Sequence, residues 1–230
     1  MHLRSAAAVL IVLTLFWPLL AALAAPSLSV GNSFGMAGGT ASAAISLVTD
    51  TNVPQLQFDI RFESNFLSSG TPLAGPALTD QIVLTSQPSP GVRRVQLVSL
   101  FNSPMNNGVL VTLPFTIATN APARYTGLVL TNVTLTNSLH QLIPLVTWTN
   151  GALEILAPPM FTSIQRVSGG SVRIGLASAP SHICVIEATT DVEQGLWLPV
   201  YTNRVPVGSF SFTDSAAKLP RRFYRAILQP

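Results

Sequence analysis

The residues able to do chemistry are few in this sequence, and their spacing is poor. Asp59 and Glu63 are the nearest pair of carboxylates, within Gln55-Leu56-Gln57-Phe58-Asp59-Ile60-Arg61-Phe62-Glu63. Two carboxyl groups flanking a glycosidic bond hydrolyse it when they stand roughly 5 to 9.5 Å apart. The alternation around this pair is that of a strand, where four residues rise about 13 Å, too far for either geometry. Both acids therefore read as solvated positions on an outer face. His140 and His182 lie on opposite sides of Ala157-Pro158-Pro159, so neither a shared metal site nor a catalytic triad is expected. Cys184, the one cysteine, sits among Ile183, Val185 and Ile186 and reads as a buried apolar thiol. It excludes an intramolecular disulfide and a cysteine-based metal site. No G-x-S-x-G elbow, H-E-x-x-H helix or phosphate-cradling glycine loop occurs. The expectation is a non-enzyme with no catalytic residue, no metal site and no cofactor.

Recognition is the other chemistry available. Tyr125, Trp148, Trp197 and Tyr201 are the candidates for a sugar-stacking platform, since a flat exposed ring covers a pyranose face. In a sandwich with few aromatics the core competes for the same side chains, and that reading is the stronger one. Lys218, Arg221, Arg222 and Arg225 form a basic cluster that reads as a solvated face. Without interleaved aromatics it does not suggest nucleic-acid binding. Asn132-Val133-Thr134 matches a glycosylation sequon, a frequent chance pattern.

The elements that must carry these residues are strands. From about residue 27 onward period-two alternation recurs, while helical periodicity is never sustained. Leu56, Phe58, Ile60 and Phe62 share one face of the Gln55–Glu63 segment, and Val109, Val111, Leu113, Phe115 and Ile117 repeat the pattern. Further strands read at 28–34, 41–48, 125–136, 142–147 and 152–156, with Ile82/Leu84 and Val95/Leu97 marking others. Ser64 to Thr79 reads as a long loop opened by a brief helical turn at Asn65 to Leu67. Asn107-Gly108 and Asn150-Gly151 have the composition of type I′ hairpin turns. Behind the stiff Ala157-Pro158-Pro159 linker about six more strands follow, at 160–167, 172–176, 182–188, 196–201, 210–213 and 223–228. The fold class expected is all-β, two antiparallel β-sandwiches, spanning 26–156 and 160–230.

Composition agrees with an exported β protein. Of the 230 residues 48% are apolar and only 9% charged, against roughly 25% charged in an average globular chain. That balance argues against disorder. Arg4 followed by the apolar run Ala6 to Leu20, then Ala22-Leu23-Ala24, reads as a signal peptide of residues 1–24 cleaved between Ala24 and Ala25. The run is shorter than the roughly 20 residues a span needs, so no stable membrane insertion is expected after cleavage. The localisation expected is secreted, extracellular or at the cell envelope.

The 27–156 region resembles a cohesin domain. Leu28-Ser29-Val30-Gly31 with Ala37-Gly38-Gly39-Thr40 and the alternating Ala44 to Val48 is similar to that family's opening strands and G-x-T turn. Gln57-Phe58-Asp59-Ile60, leading to Asn65-Phe66-Leu67, resembles its Q-F strand and the loop behind it. Phe115 to Ala121 is similar to a late strand, and Asn150-Gly151-Ala152-Leu153-Glu154-Ile155 to the closing one. The family's usual Tyr-Asp after the Q-F strand is Phe62-Glu63 here, and Gln81 to Ser103 matches no dockerin-contacting position. The resemblance implies a β-sandwich receptor for a dockerin-like protein. Through related carbohydrate-binding modules it also implies polysaccharide as the other partner, in extracellular polysaccharide catabolism. A structural cell-envelope protein without a glycan role is the alternative. Residues 160–228 resemble a short C-terminal β module of secreted bacterial proteins, on Glu187-Ala188-Thr189-Thr190-Asp191, Trp197, Phe212-Thr213-Asp214 and Arg222-Phe223-Tyr224-Arg225. That likeness implies a structural or interaction role.

Overall fold

A computed structural model describes residues 25–144, 147–204, 208–215 and 221–229. The expected signal peptide, with Ala24 of its cleavage site, lies outside the described residues, and Ala25 is the first described. The chain is all-β. Its strands are β1 Ser27–Val30, β2 Ser33–Met36, β3 Thr40–Val48, β4 Gln55–Arg61, β5 Leu67–Ser69, β6 Leu73–Ala74, β7 Gln81–Ser89, β8 Val92–Ser99 and β9 Gly108–Ile117. They continue with β10 Arg124–Thr136, β11 Thr147–Thr149, β12 Gly151–Leu156, β13 Met160–Arg166, β14 Val172–Ala177, β15 Ile183–Thr189, β16 Leu198–Arg204, β17 Ser209–Asp214 and β18 Phe223–Gln229.

Two six-stranded sheets use the strands up to β12. One runs β11-β1-β3-β9-β5 with β6 also on β9, and the other β2-β12-β10-β4-β8-β7. One apolar cluster joins their inner faces, with Leu28, Ile45, Leu113 and Phe115 from the first meeting Phe58, Ile60, Val95, Leu128 and Leu153 from the second. Alternation explains this directly, because a strand points successive side chains to opposite faces. One position departs from the expected pattern. A bulge between Ile45 and Ser46 sets them against Val111 and Val109, so Leu110 is the extra residue and is fully buried, while Val109 is only half-buried.

The first and last segments of this sandwich each cross from one sheet to the other. β1 pairs parallel with β11, β2 pairs parallel with β12, and the remaining pairings are antiparallel. Gly31-Asn32 and Asn150-Gly151 make the two crossings side by side. Neither Asn150 nor Gly151 has positive φ, so the expected hairpin there is a sheet switch instead. Asn150 Oδ1 accepts from Leu130 N at 2.9 Å and Asn32 Oδ1 from Ala152 N at 2.9 Å. A Cβ on Gly151 would stand 2.7 Å from the Gly31 carbonyl oxygen, so close backbone approach, not turn geometry, requires this glycine. Asn107-Gly108 is likewise no hairpin, since β8 and β9 belong to different sheets. The tight turn is Pro90-Gly91 between β7 and β8, with Gly91 at φ 74°. The expected 64–79 loop keeps its helical turn, Leu67 N donating to Glu63 O, but adds β5 and β6 along β9. Of the expected 142–147 strand, Leu142 forms a bridge with Thr136 and Thr147 opens β11, while residues 145 and 146 lie outside the described residues.

Beyond Pro159 two three-stranded antiparallel sheets, β13-β14-β17 and β16-β15-β18, face each other. Leu176 and Cys184 are fully buried between them, with Phe161, Phe210, Ala226 and Leu228 packed around. Burial pushes the Cys184 thiol up, against a weaker lowering by a hydrogen bond with Ser178, in keeping with a structural thiol. Contact with the first sandwich runs through His182. Its ring lies edge-on to Phe34 at 4.6 Å, and its Nε2 is 3.2 Å from Glu154 Oε2.

Candidate functional site

The outer face of the β2-β12-β10-β4-β8-β7 sheet carries an ordered set of hydrogen-bonded side chains. Cross-strand registers put Ile82 beside Val98, Leu84 beside Gln96, Gln96 beside Gln57 and Arg94 beside Asp59. On β10, Val129 pairs with Arg61 and Tyr125 with Glu154 on the same face. Ile82, Leu84, Val129 and Tyr125 are exposed apolar or aromatic side chains set among amides and hydroxyls. Gln96 Nε2 donates to Gln57 Oε1 at 2.6 Å. A shallow depression nearby is lined by Gln55, Gln57, Gln96, Val98, Thr134 and Thr136, with no ionisable group in it.

Asp59 corrects the sequence expectation. Although its side chain points away from the core, it is 2% exposed rather than solvated. Arg94 donates to both carboxylate oxygens, Nε to Oδ1 at 2.7 Å and Nη2 to Oδ2 at 2.8 Å. Asn132 Nδ2 donates to Oδ2 at 2.7 Å. Asn132 reaches it because β10 carries a bulge between Thr131 and Thr134, where Asn132 takes φ 51°. Asparagine is among the side chains that tolerate this left-handed region. The Arg94 hydrogen bonds hold the carboxyl below its ordinary range, burial opposes them, and Asn132 adds to the lowering. Asp59 in turn raises Arg94. The pair is neutral overall and each carboxylate oxygen is satisfied, which fixes side-chain geometry and leaves no poised acid or base. Glu63 stays partly exposed, 3.2 Å from Arg124.

The four aromatic candidates do not form one platform. Tyr125 is 68% exposed on the face just described, where a hydrogen bond to Glu154 raises its phenol. Trp148 is 47% exposed on β11, at the edge of the opposite sheet. Trp197 precedes β16 rather than lying in a strand, with the Arg225 guanidinium 4.6 Å above its ring. Tyr201 is half-buried and stacks on Phe212 at 4.6 Å. His140 contacts Gln55 at 3.3 Å, far from His182, and among the described residues no group of three or more His, Cys, Asp or Glu is placed to hold a metal. Arg94 and the role of Asn132 escaped the sequence reading. An opposite-charge pair across β4 and β8 is the signal that would have exposed Arg94, once the register is known.

No family model and no curated protein matches the chain. Solved structures do. The sixth cohesin of scaffoldin B from Acetivibrio cellulolyticus, in complex with a Cel5 dockerin variant, is similar over 57% of this chain and 99% of its own, at TM-score 0.53 and 18% identity. The OlpA cohesin of Clostridium thermocellum, also solved with a dockerin, matches over 57% and 99%, at TM-score 0.53 and 13% identity. A non-cellulosomal cohesin from the archaeon Archaeoglobus fulgidus matches over 58% and 93%, at TM-score 0.51 and 15% identity. The likeness is one of fold, and the fold is cohesin-like.

Proposed function

We propose that residues 26–156 form a docking module of an exported, non-enzymatic protein, and that the outer face built from β7, β8, β4 and β10 receives a dockerin-like protein. The observation that carries this reading is the ordered character of that face. Exposed apolar side chains at Leu84, Ile82 and Val129 flank a saturated Asp59–Arg94–Asn132 cluster and the Gln57–Gln96 amide pair. Interfaces of this type combine apolar anchors with satisfied polar groups. The solved dockerin complexes of similar sandwiches support the class of partner. Residues 1–24 act as a cleaved signal peptide, and the mature chain works outside the cytoplasm or at the envelope. Residues 160–230 serve as a second, structural or interaction module behind the 157–159 linker.

Affinity capture from the native secretome, with the chain starting at Ala25 as bait, tests this. A dockerin-bearing protein is expected in the eluate, and Leu84→Arg is expected to abolish its capture without unfolding the bait. Capture unchanged by Leu84→Arg, or an eluate without such a protein, overturns it.

A second reading is supported by the exposure of Tyr125 and Trp148: glycan binding in polysaccharide use outside the cell. Each ring would then act alone, since they stand on different sheets. Retention on insoluble polysaccharide, lost in Trp148→Ala or Tyr125→Ala with the fold intact, is its expected signature. Equal retention of wild type and variants counts against it.

A further inference from the structure

The C-terminal module holds a small cavity that the docking reading does not use. It lies where β15 ends and β18 begins, Thr189 being paired with Phe223 there, and the loop joining β15 to β16 supplies most of its wall. Its volume is about 230 Å³. Thr190, Asp191, Gln194 and Arg222 give it polar walls, and Leu196 and Leu198 an apolar one.

These walls are held in place by bonds of their own. Thr189 Oγ1 donates to the Asp191 carbonyl at 2.8 Å and accepts from Asp191 N at 3.1 Å, while Asp191 Oδ1 accepts from Glu193 N at 2.9 Å. Such short-range bonds are how threonine and aspartate side chains fix a turn. On the β18 side Arg222 Nε stands 2.8 Å from Asp214 Oδ2, which also accepts from the Tyr224 hydroxyl at 3.0 Å. Only 17% of the Arg222 side chain is exposed, so it is a clamped guanidinium and not part of the solvated basic face expected from the sequence.

The polar groups left over select the ligand. Asp191 Oδ2, the Thr190 hydroxyl and the Gln194 amide have no hydrogen-bond partner among the described residues. They offer donors and acceptors together, a mixture that hydroxyl groups satisfy because each hydroxyl does both. Leu196 and Leu198, 64% and 58% exposed, add a surface for C–H groups. The Arg222 charge is met by Asp214, which leaves Asp191 as the charge that lines the cavity and disfavours an anion. The volume falls below the roughly 300 to 1,000 Å³ of sites for drug-sized ligands, so the room is for about one ring.

We propose that this cavity binds one neutral hexose ring, free or at the end of a glycan chain. Asp191 and Gln194 engage adjacent ring hydroxyls, Thr190 completes the set, and the two leucines lie against ring C–H groups. The site is separate from Tyr125 and Trp148, which belong to the first sandwich, and it depends neither on them nor on a dockerin-like partner.

The test is amide chemical-shift mapping on the chain from Ala25, which contains every described residue, titrated with glucose, galactose and mannose, each free and as the terminal unit of a disaccharide. At least one is expected to bind saturably in the millimolar range and to shift the amides of Thr190, Asp191, Gln194 and Leu198. Binding of the free ring alone, or equally of the disaccharide, supports the site and separates its two sources. Gln194→Ala and Thr190→Ala are each expected to weaken binding about two- to tenfold, the share of one hydrogen bond. Both side chains are exposed and unpartnered, so the melting curves of these variants should match wild type. No saturable shift with any of these sugars, or equal affinity of both variants and wild type, overturns the proposal. Tighter binding of choline or glucuronate than of the neutral sugars does so too, because it assigns the cavity to a charged ligand. Sugar binding lost in Tyr125→Ala but unchanged in Gln194→Ala refutes this site while leaving glycan binding by the first sandwich standing.

Discussion

The Arg94 guanidinium closes over Asp59 with two parallel hydrogen bonds of 2.7 and 2.8 Å, and so buries a carboxylate on the outer face of a sheet. Side-chain exposure is 35% for the arginine and 3% for the aspartate, so one partner retains water and the other does not. Removing the arginine leaves a charge without its partner in a place water cannot easily reach. Arg94→Met is expected to lower stability, by less than breaking a fully buried pair would, because Arg94 is partly solvated. Asp59→Leu/Arg94→Met should recover most of that loss, since an apolar pair removes the unmet charge. Urea midpoints of the single and double variants measure both.

The same carboxylate makes stability depend on acid. Its folded pKa is lowered, chiefly by the Arg94 hydrogen bonds, so its contribution is present above the ordinary range near 3.8 and is lost as pH falls through the folded value. Asp80 titrates in the same sense, since desolvation, which raises its carboxyl, is outweighed by the hydrogen bonds from Ser99, Phe101, Ser103 and Thr79 together. The urea midpoint should therefore fall as pH drops below about 4, and more gently in Asp59→Asn. An identical acid limb in wild type and Asp59→Asn refutes the assignment.

Tyr224 gives the opposite sign at high pH. Burial pushes its phenol up to about 12, helped by the Asp214 carboxylate 3.0 Å away and opposed by Arg222. The neutral phenol is the form the fold prefers. Its contribution is complete below the ordinary value near 10 and is lost as pH rises through the folded one. Absorbance at roughly 295 nm should show one tyrosine ionising after the others. That last step should disappear in Tyr224→Phe.

Gly151 is where two sheet-crossing segments touch. A methyl group there meets the Gly31 carbonyl at 2.7 Å and Val30 at 2.8 Å, backbone and packed side chain that cannot move independently. Gly151→Ala is expected to cost about 1 to 3 kcal/mol in thermal or urea unfolding. Gly169→Ala should behave differently, since its Cβ meets nothing within 4 Å and only its φ of 76° resists the change.

Much of this protein was legible in its residues. Alternation at Leu56, Phe58 and Ile60, and at Leu113, Phe115 and Ile117, identifies strands and their buried faces, because strand geometry alone imposes a period of two. The apolar neighbours of Cys184 likewise announce its burial, and the scattered motifs of 27–156 point to the cohesin-like fold that structural comparison supports. Only the tertiary structure decided the rest. Periodicity says which way a side chain points but not what stands beside it. Asp59 points outward, as read, yet is buried by an arginine 35 positions away and an asparagine 73 positions away that one bulge turns toward it. Asn150-Gly151 has the composition of a hairpin, but the strand it would have folded back upon belongs to the other sheet. Strand order and register bring such partners together, and these follow from the packing of the whole sandwich.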